Sequence, residues 1–302
     1  MLSLHTNVAS LSAQNSLSRT QNSLSTSMTR LSTGYRINSA MDDAAGLQIA
    51  TRLKAQSSGM AVAMRNTQNS VSMLQTADGA LNEVNNILTR MKDLATQAAD
   101  GSSSASDQTA MQSEYNSLTD ELSNIFSNTK FGGTKLLNTD SGATPPSKLS
   151  DTNGVTFQIG ADSSEKMTAN FNAELGAVDT AIKGATSNTY AGDGSVAGTP
   201  SAGADLTTTS TANAAIGSLS TAIDAVSSLR SKLGAISNRL DHVYNNLANI
   251  SSNTQAATGR IMDVDFATES SSMTSNQMLM QAGTAMLKQT NSMSSMVMSL
   301  LQ

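Results

Sequence analysis

The chain runs to 302 residues, 38% of them hydrophobic but only 3% aromatic, with no Trp; that is material for one large domain or two modest ones, without the ring area that fills a wide enzyme core. The absence of Cys excludes disulfides, thiolate metal sites and cysteine nucleophiles. A net charge of −5 with no basic run gives nucleic-acid binding no electrostatic footing.

The first residues, Met1-Leu2-Ser3-Leu4-His5, carry neither a basic start nor the apolar run of a cleaved leader. No stretch of 18 apolar residues occurs, so no membrane insertion is expected. From there to about residue 130 the pattern is helical. Leu4, Val8, Leu11, Leu17, Leu24, Met28, Leu31 and Tyr35 recur in steps of three, four and seven, interrupted once between Leu11 and Leu17; Gly34 is placed to end this helix. A longer helix follows, with Leu53, Met60, Leu74, Leu81 and Leu88 at multiples of seven and Ala77, Val84, Met91 and Ala98 three residues along. That is an a/d seam of coiled-coil type, stopped by Asp100-Gly101. Met111, Tyr115, Leu118, Leu122 and Ile125 form the next seam, closed by Phe131-Gly132-Gly133.

The middle is turn-rich. Pro145-Pro146 rules out helix there. Val155, Phe157 and Ile159, then Met167, Ala169 and Phe171, alternate as a hairpin with one buried face. From Gly176 to Thr211 the Gly, Ala, Ser and Thr content reads as a surface loop or a very small insertion, not a core-bearing domain. The last zone, from about residue 211, is helical again. Leu229, Leu233, Ile236, Leu240, Val243, Leu247 and Ile250 alternate by four and three. Leu279, Met286, Met293, Val297 and Leu300 then form one row, with Met273, Met280, Leu287 and Leu301 beside it.

Both ends lack charge. Residues 1–18 contain no Asp, Glu, Lys or Arg, and after Glu269 only Lys288 is charged. Amphipathic helices with Ser, Thr, Asn and Gln faces are marginal alone in water. Their apolar stripes call for a partner, the other end first and sibling molecules next, so ordering of the termini on assembly is expected. Uncharged flanks let many copies pack closely, and flexible Met side chains fill irregular gaps. We take Leu4, Val8, Leu11, Leu24 and Leu31 with Leu279, Met286, Met293, Val297 and Leu300 as the assembly stripe.

Catalytic chemistry finds no support. His5 and His242 are the only histidines, no HExxH or phosphate-binding loop occurs, and adjacent Asp42 and Asp43 point apart on a helix, which favours a helix-start or packing role over acid–base work. No metal or cofactor is implied, and an enzyme is not expected.

Four separated segments resemble bacterial flagellin. They are Leu31-Ser32-Thr33-Gly34-Tyr35-Arg36-Ile37-Asn38-Ser39-Ala40-Met41-Asp42-Asp43-Ala44-Ala45-Gly46, Leu233-Gly234-Ala235-Ile236-Ser237-Asn238-Arg239-Leu240, Arg260-Ile261-Met262-Asp263-Val264-Asp265-Phe266-Ala267-Thr268-Glu269 and Gln281-Ala282-Gly283-Thr284, with the ending Val297-Met298-Ser299-Leu300-Leu301-Gln302. The resemblance covers about residues 1–175 and 213–302. It implies a mainly α fold: an elongated helical bundle with coiled-coil termini, a small β-hairpin region and a minimal variable insertion. Residues 1–44 and 263–302 would be the inner filament core, 45–175 and 213–262 the bundle with its hairpin, and 176–212 a small variable surface segment, short as in several lateral (swarming) flagellins.

The implied function is a self-polymerising filament subunit, exported unfolded through the flagellar type III apparatus. Its implied partners are a chaperone on the C-terminal segment and the hook-associated and cap proteins. The stretch Leu88-Thr89-Arg90-Met91-Lys92-Asp93-Leu94-Ala95 is similar to the segment read by a vertebrate innate receptor, with Arg90 and Leu94 at the central contacts and Glu114 as the acidic contact on the neighbouring helix. Without the resemblance, Arg90 and Glu114 read as ordinary solvated or subunit-facing residues. The weighed alternatives are a hook–filament junction protein, whose N-terminal signature differs from the one here, and a secreted coiled-coil translocator or adhesin, which needs an apolar membrane hairpin that this chain lacks.

Overall fold

Helix boundaries fall where the sequence supplies caps. In the computed structural model, which describes residues 7–139, 147–186, 190 and 206–300 with side chains as far as 292, three helices are followed by four short strands and then by three more helices. They are α1 (Val8–Thr33), α2 (Ala44–Ala98), α3 (Ala105–Asn128), β1 (Lys130–Phe131), β2 (Thr134–Lys135), β3 (Val155–Gln158), β4 (Lys166–Ala169), α4 (Asn172–Ala185), α5 (Thr209–Met262) and α6 (Phe266–Leu300). Asn7 opens α1 by accepting from the Ser10 N–H at 3.1 Å, and Gly34 closes it in the left-handed conformation with φ 76°. The Asp43 carboxylate opens α2 by accepting from the Gly46 N–H at 2.8 Å, in agreement with the expected helix-start role. Ser104 and Asp107 close a reciprocal capping box on α3.

The chain divides into two compact units, residues 58–251 and residues 1–57 with 252–302; the division falls within α2 and within α5. The larger unit holds the main core. The expected α2 seam is buried there: Leu74, Leu81, Leu88, Ala77, Val84, Met91 and Ala98 are at most 1% exposed. It packs in one cluster with Met111, Tyr115, Leu122 and Phe126 of α3 and Leu219, Val226, Leu229, Leu233 and Leu240 of α5. Each buried Leu or Val contributes about 1.5–3 kcal/mol relative to exposure. Small Ala212, Ala215 and Ala222 on α5 are buried in the same core. Arg230 of α5 bonds Asp78 of α2 at 2.9 Å.

The expected hairpin is β3–β4, antiparallel, with Phe157 opposite Met167 and both buried. Ile159 and Phe171 fall just beyond the strands, and Phe171, fully buried, begins α4 instead. The turn after β3 rests on α2 at Gly59, where a Cβ would stand 2.7 Å from that of Ala161.

The reading of 176–212 as a coreless surface loop is corrected. Helix α4 runs through Ala185, and Leu175, Val178, Ile182 and Ala185, spaced three, four and three, are at most 1% exposed. Tyr190 and Leu206 beyond it are buried as well. Tyr115 Oη donates to the Ala185 carbonyl at 2.7 Å, and Tyr190 meets Phe126 edge-on at 5.5 Å. Composition hid this helix because its small residues resemble linker, although four apolar positions at helical spacing suffice to bury one face. Pro145-Pro146 and most of the Gly/Ala/Ser/Thr run lie outside the described residues.

Candidate functional site

In the smaller unit, α1 and α6 pack antiparallel. Asn7 Nδ2 lies 3.4 Å from the Thr290 carbonyl, Leu17 meets Gly283, and Arg30 reaches Glu269 at 3.7 Å. The seam is a heptad on each side. On α1, Ser10, Ala13, Leu17, Thr20, Leu24, Ser27 and Leu31 are half-buried or buried, stepping by three and four. On α6, Met273, Asn276, Met280, Gly283, Leu287 and Thr290 do the same. Small side chains bring the backbones close: a Cβ on Gly283 would stand 3.3 Å from Leu17 Cδ1.

This pairing splits the stripe read from the sequence. Leu24, 8% exposed, and half-buried Leu31 belong to the seam. Val8 (67%), Leu11 (54%), Leu279 (57%) and Met286 (66%) face outward instead. Leu4 and the side chains of Met293, Val297 and Leu300 lie outside the described residues. Selection by apolarity alone missed the Ser, Thr, Ala, Asn and Gly positions of the seam. The signal that finds them is the seven-residue step of Leu17, Leu24 and Leu31 against that of Met273, Met280 and Leu287.

Helix was expected to continue through residue 302, yet α5 and α6 are separated by Asp263–Asp265. The cause is a cross-strand clasp at the end of α1. Tyr35 and Asp263 form an antiparallel bridge, the Val264 N–H donates to the Gly34 carbonyl at 3.0 Å, and the Arg36 N–H donates to the Met262 carbonyl at 2.6 Å. Arg36 Nη2 adds a bond to the Ile261 carbonyl at 2.9 Å. Asp265 restarts the helix by accepting from Ala267 N–H at 3.0 Å and the Thr268 hydroxyl at 2.8 Å. These bonds, that of the Thr268 hydroxyl foremost, hold the Asp265 carboxyl below its ordinary value. Asp42 is likewise held low, first by the Ser39 N–H and then by the Asn38 N–H, and ties the α1–α2 loop. Ile37, 1% exposed, anchors that loop while Met41 stands 96% exposed. Arg30 lies 3.9 Å from Asp42 and 3.7 Å from Glu269, all three side chains partly buried.

In the larger unit, Arg90 and Glu114 meet although 24 residues apart: Arg90 Nε and Nη2 donate to Glu114 Oε1 at 2.9 and 2.7 Å. Both side chains are about half exposed, at 55% and 46%. Leu94, at 2% exposure, lies in the core beneath this patch, not on the surface. Among the described residues no three His, Asp or Glu side chains gather as metal ligands, and no helix is long and apolar enough to cross a membrane.

The family model for the bacterial flagellin N-terminal helical region matches residues 4–141, and that for the C-terminal helical region matches residues 216–301. Flagellin A of Vibrio anguillarum is 36% identical over 388 aligned residues, covering 100% of both chains. The flagellin of Bacillus subtilis (strain 168) is 38% identical over 315, covering 99% of both. A solved structure described as a flagellar hook-associated protein from Vibrio parahaemolyticus superposes with a TM-score of 0.53 at 18% identity, covering 74% of this chain and 100% of that one; it shares the fold.

Proposed function

Because this chain belongs to the bacterial flagellin family and is a structural subunit of the extracellular flagellar filament, we propose that the outward faces of α1 and α6 are the surfaces through which its copies join. The carrying observation is that Val8, Leu11, Leu279 and Met286 are more than half exposed on helices almost without charge. Large apolar side chains there gain burial only against other molecules. The helical, hairpin-bearing fold and the full-length relatives do not favour the junction-protein or translocator readings. The seam and clasp support residues 1–44 and 263–302 as the inner core.

Unfolded export with a chaperone on the C-terminal segment, and contacts with hook-associated and cap proteins, complete the proposal. The near-uncharged α6, marginal alone, suits a segment handed over unfolded. The test is polymerisation of the purified chain from salt-induced seeds, viewed by negative-stain microscopy. Long regular filaments are expected, and soluble chains that never polymerise refute the surface.

Recognition by a vertebrate innate receptor is supported by the exposed Arg90–Glu114 pair, a preformed donor–acceptor unit on the bundle surface; Leu94, expected as a second central contact, is buried and does not offer one. Arg90→Ala should lower the response of a receptor-reporter cell by tenfold or more, the scale of a lost charge-assisted contact, about 1.5–3 kcal/mol. An unchanged response sinks the contact.

A further inference from the structure

We propose that the outward methionines of the terminal helix pair are oxidation sites for hydrogen peroxide, and that their oxidation keeps a subunit out of the polymer. The proposal rests on the assembly surface above and adds its chemical regulation. Eight of the 17 methionines follow residue 260. The structure sorts the described ones into three environments. Met278 (60%) and Met286 (66%) stand open on α6 and Met28 (51%) on α1, whereas Met273 and Met280 are half-buried in the seam. In the larger unit Met60, Met73, Met91, Met111 and Met167 are at most 9% exposed. Peroxide therefore reaches the assembly face well before the core. Met41, 96% exposed on the tied α1–α2 loop, gauges peroxide access independently of either helix.

The chemistry is a two-electron transfer. A lone pair on the thioether Sδ attacks one peroxide oxygen, the O–O bond breaks, and the departing hydroxide takes up a proton to leave as water; sulfur gains one oxygen as the sulfoxide. A sulfoxide reductase returns the thioether by oxidising two thiols to a disulfide, the oxygen leaving as water. The thioether does not titrate, so neighbouring charges do not gate the step. Its consequence follows from burial. A thioether adapts to an irregular apolar interface, but a sulfoxide presents a strong polar acceptor whose hydration is lost when copies pack. The five buried methionines of the larger unit are shielded, while half-buried Met64 packs against the smaller core cluster there.

The experiment uses full-length soluble chain. Subunits are partly oxidised with hydrogen peroxide, seeded, and separated by sedimentation into polymer and supernatant, and each methionine is mapped by peptide mass. Sulfoxide at Met278 and Met286 should be enriched about tenfold or more in the supernatant, the scale set by failing to bury one such side chain. Core methionines should remain unoxidised. Treatment of the supernatant with sulfoxide reductase and thiol should restore polymerisation. Equal sulfoxide at these positions in pellet and supernatant, or no recovery after reduction, overturns the proposal. If unoxidised chain itself does not polymerise, the assembly surface fails and the proposal falls with it; the untreated arm separates the two failures.

Discussion

Tyr115→Phe isolates one bond on which the position of α4 depends. The phenol is 2% exposed and donates to the Ala185 carbonyl at 2.7 Å, joining α3 to the last turn of a helix that composition concealed. Removing one oxygen leaves the ring packing in place, so the cavity contribution is small. The cost is a net hydrogen bond plus a carbonyl left without its donor in the core, about 1–3 kcal/mol, centred near 2. For a cooperative unit of about 200 residues, 1 kcal/mol moves Tm by roughly 2–4 °C, so a fall of about 4–8 °C is expected by calorimetry at neutral pH. A second reading comes from pH. Burial pushes the Tyr115 phenol well above its ordinary value of 10.0. Its contribution is intact below the unfolded value and lost as pH rises toward the folded one, because only the unfolded chain ionises there. The Tm gap between parent and variant should therefore narrow above pH 10. An unchanged Tm, or a gap that stays constant into alkali, refutes the bond and the burial.

Leu24→Ala removes the one apolar side chain of α1 that is buried among the described residues; at about 2 kcal/mol, the low end for a pair free to collapse, it should raise the critical concentration for polymerisation roughly thirtyfold by sedimentation. Gly154→Ala forces a Cβ to 2.8 Å from the Ala169 carbonyl oxygen at φ 76°, so the urea midpoint should fall by the equivalent of about 1–3 kcal/mol; no change refutes the tight turn before β3. Asp42 is held below its ordinary value by the Ser39 and Asn38 N–H groups, so its contribution is present above the unfolded value of 3.8 and disappears as pH falls below it. Asp42→Asn should thus flatten the acid limb of amide protection at residues 34–43, and an identical limb in both chains rules that tie out.

Local signals carried far because they are short-range. Gly34 ended α1 and Asp100-Gly101 ended α2 because each cap depends on neighbours within one turn. The α2 and α5 seams were legible because only apolar repeats near 3.5 residues can line a long buried face. The β3–β4 alternation likewise fixed which side is inside. Fold class was therefore readable from the chain, and family membership was readable from the four segments that resemble flagellin. Tertiary structure decided the rest. Either stripe of α1 is competent to dock, and the choice of Leu17, Leu24 and Leu31 over Val8 and Leu11 was set by the partner, whose Gly283 leaves room for Leu17. The break at Asp263–Asp265 exists because Gly34 and Arg36 supply backbone partners more than 200 residues away. Arg90 found Glu114, and Tyr115 found Ala185, through the same long-range closure. A helix presents all its faces at once, and only the shape of what packs against it determines which one is buried.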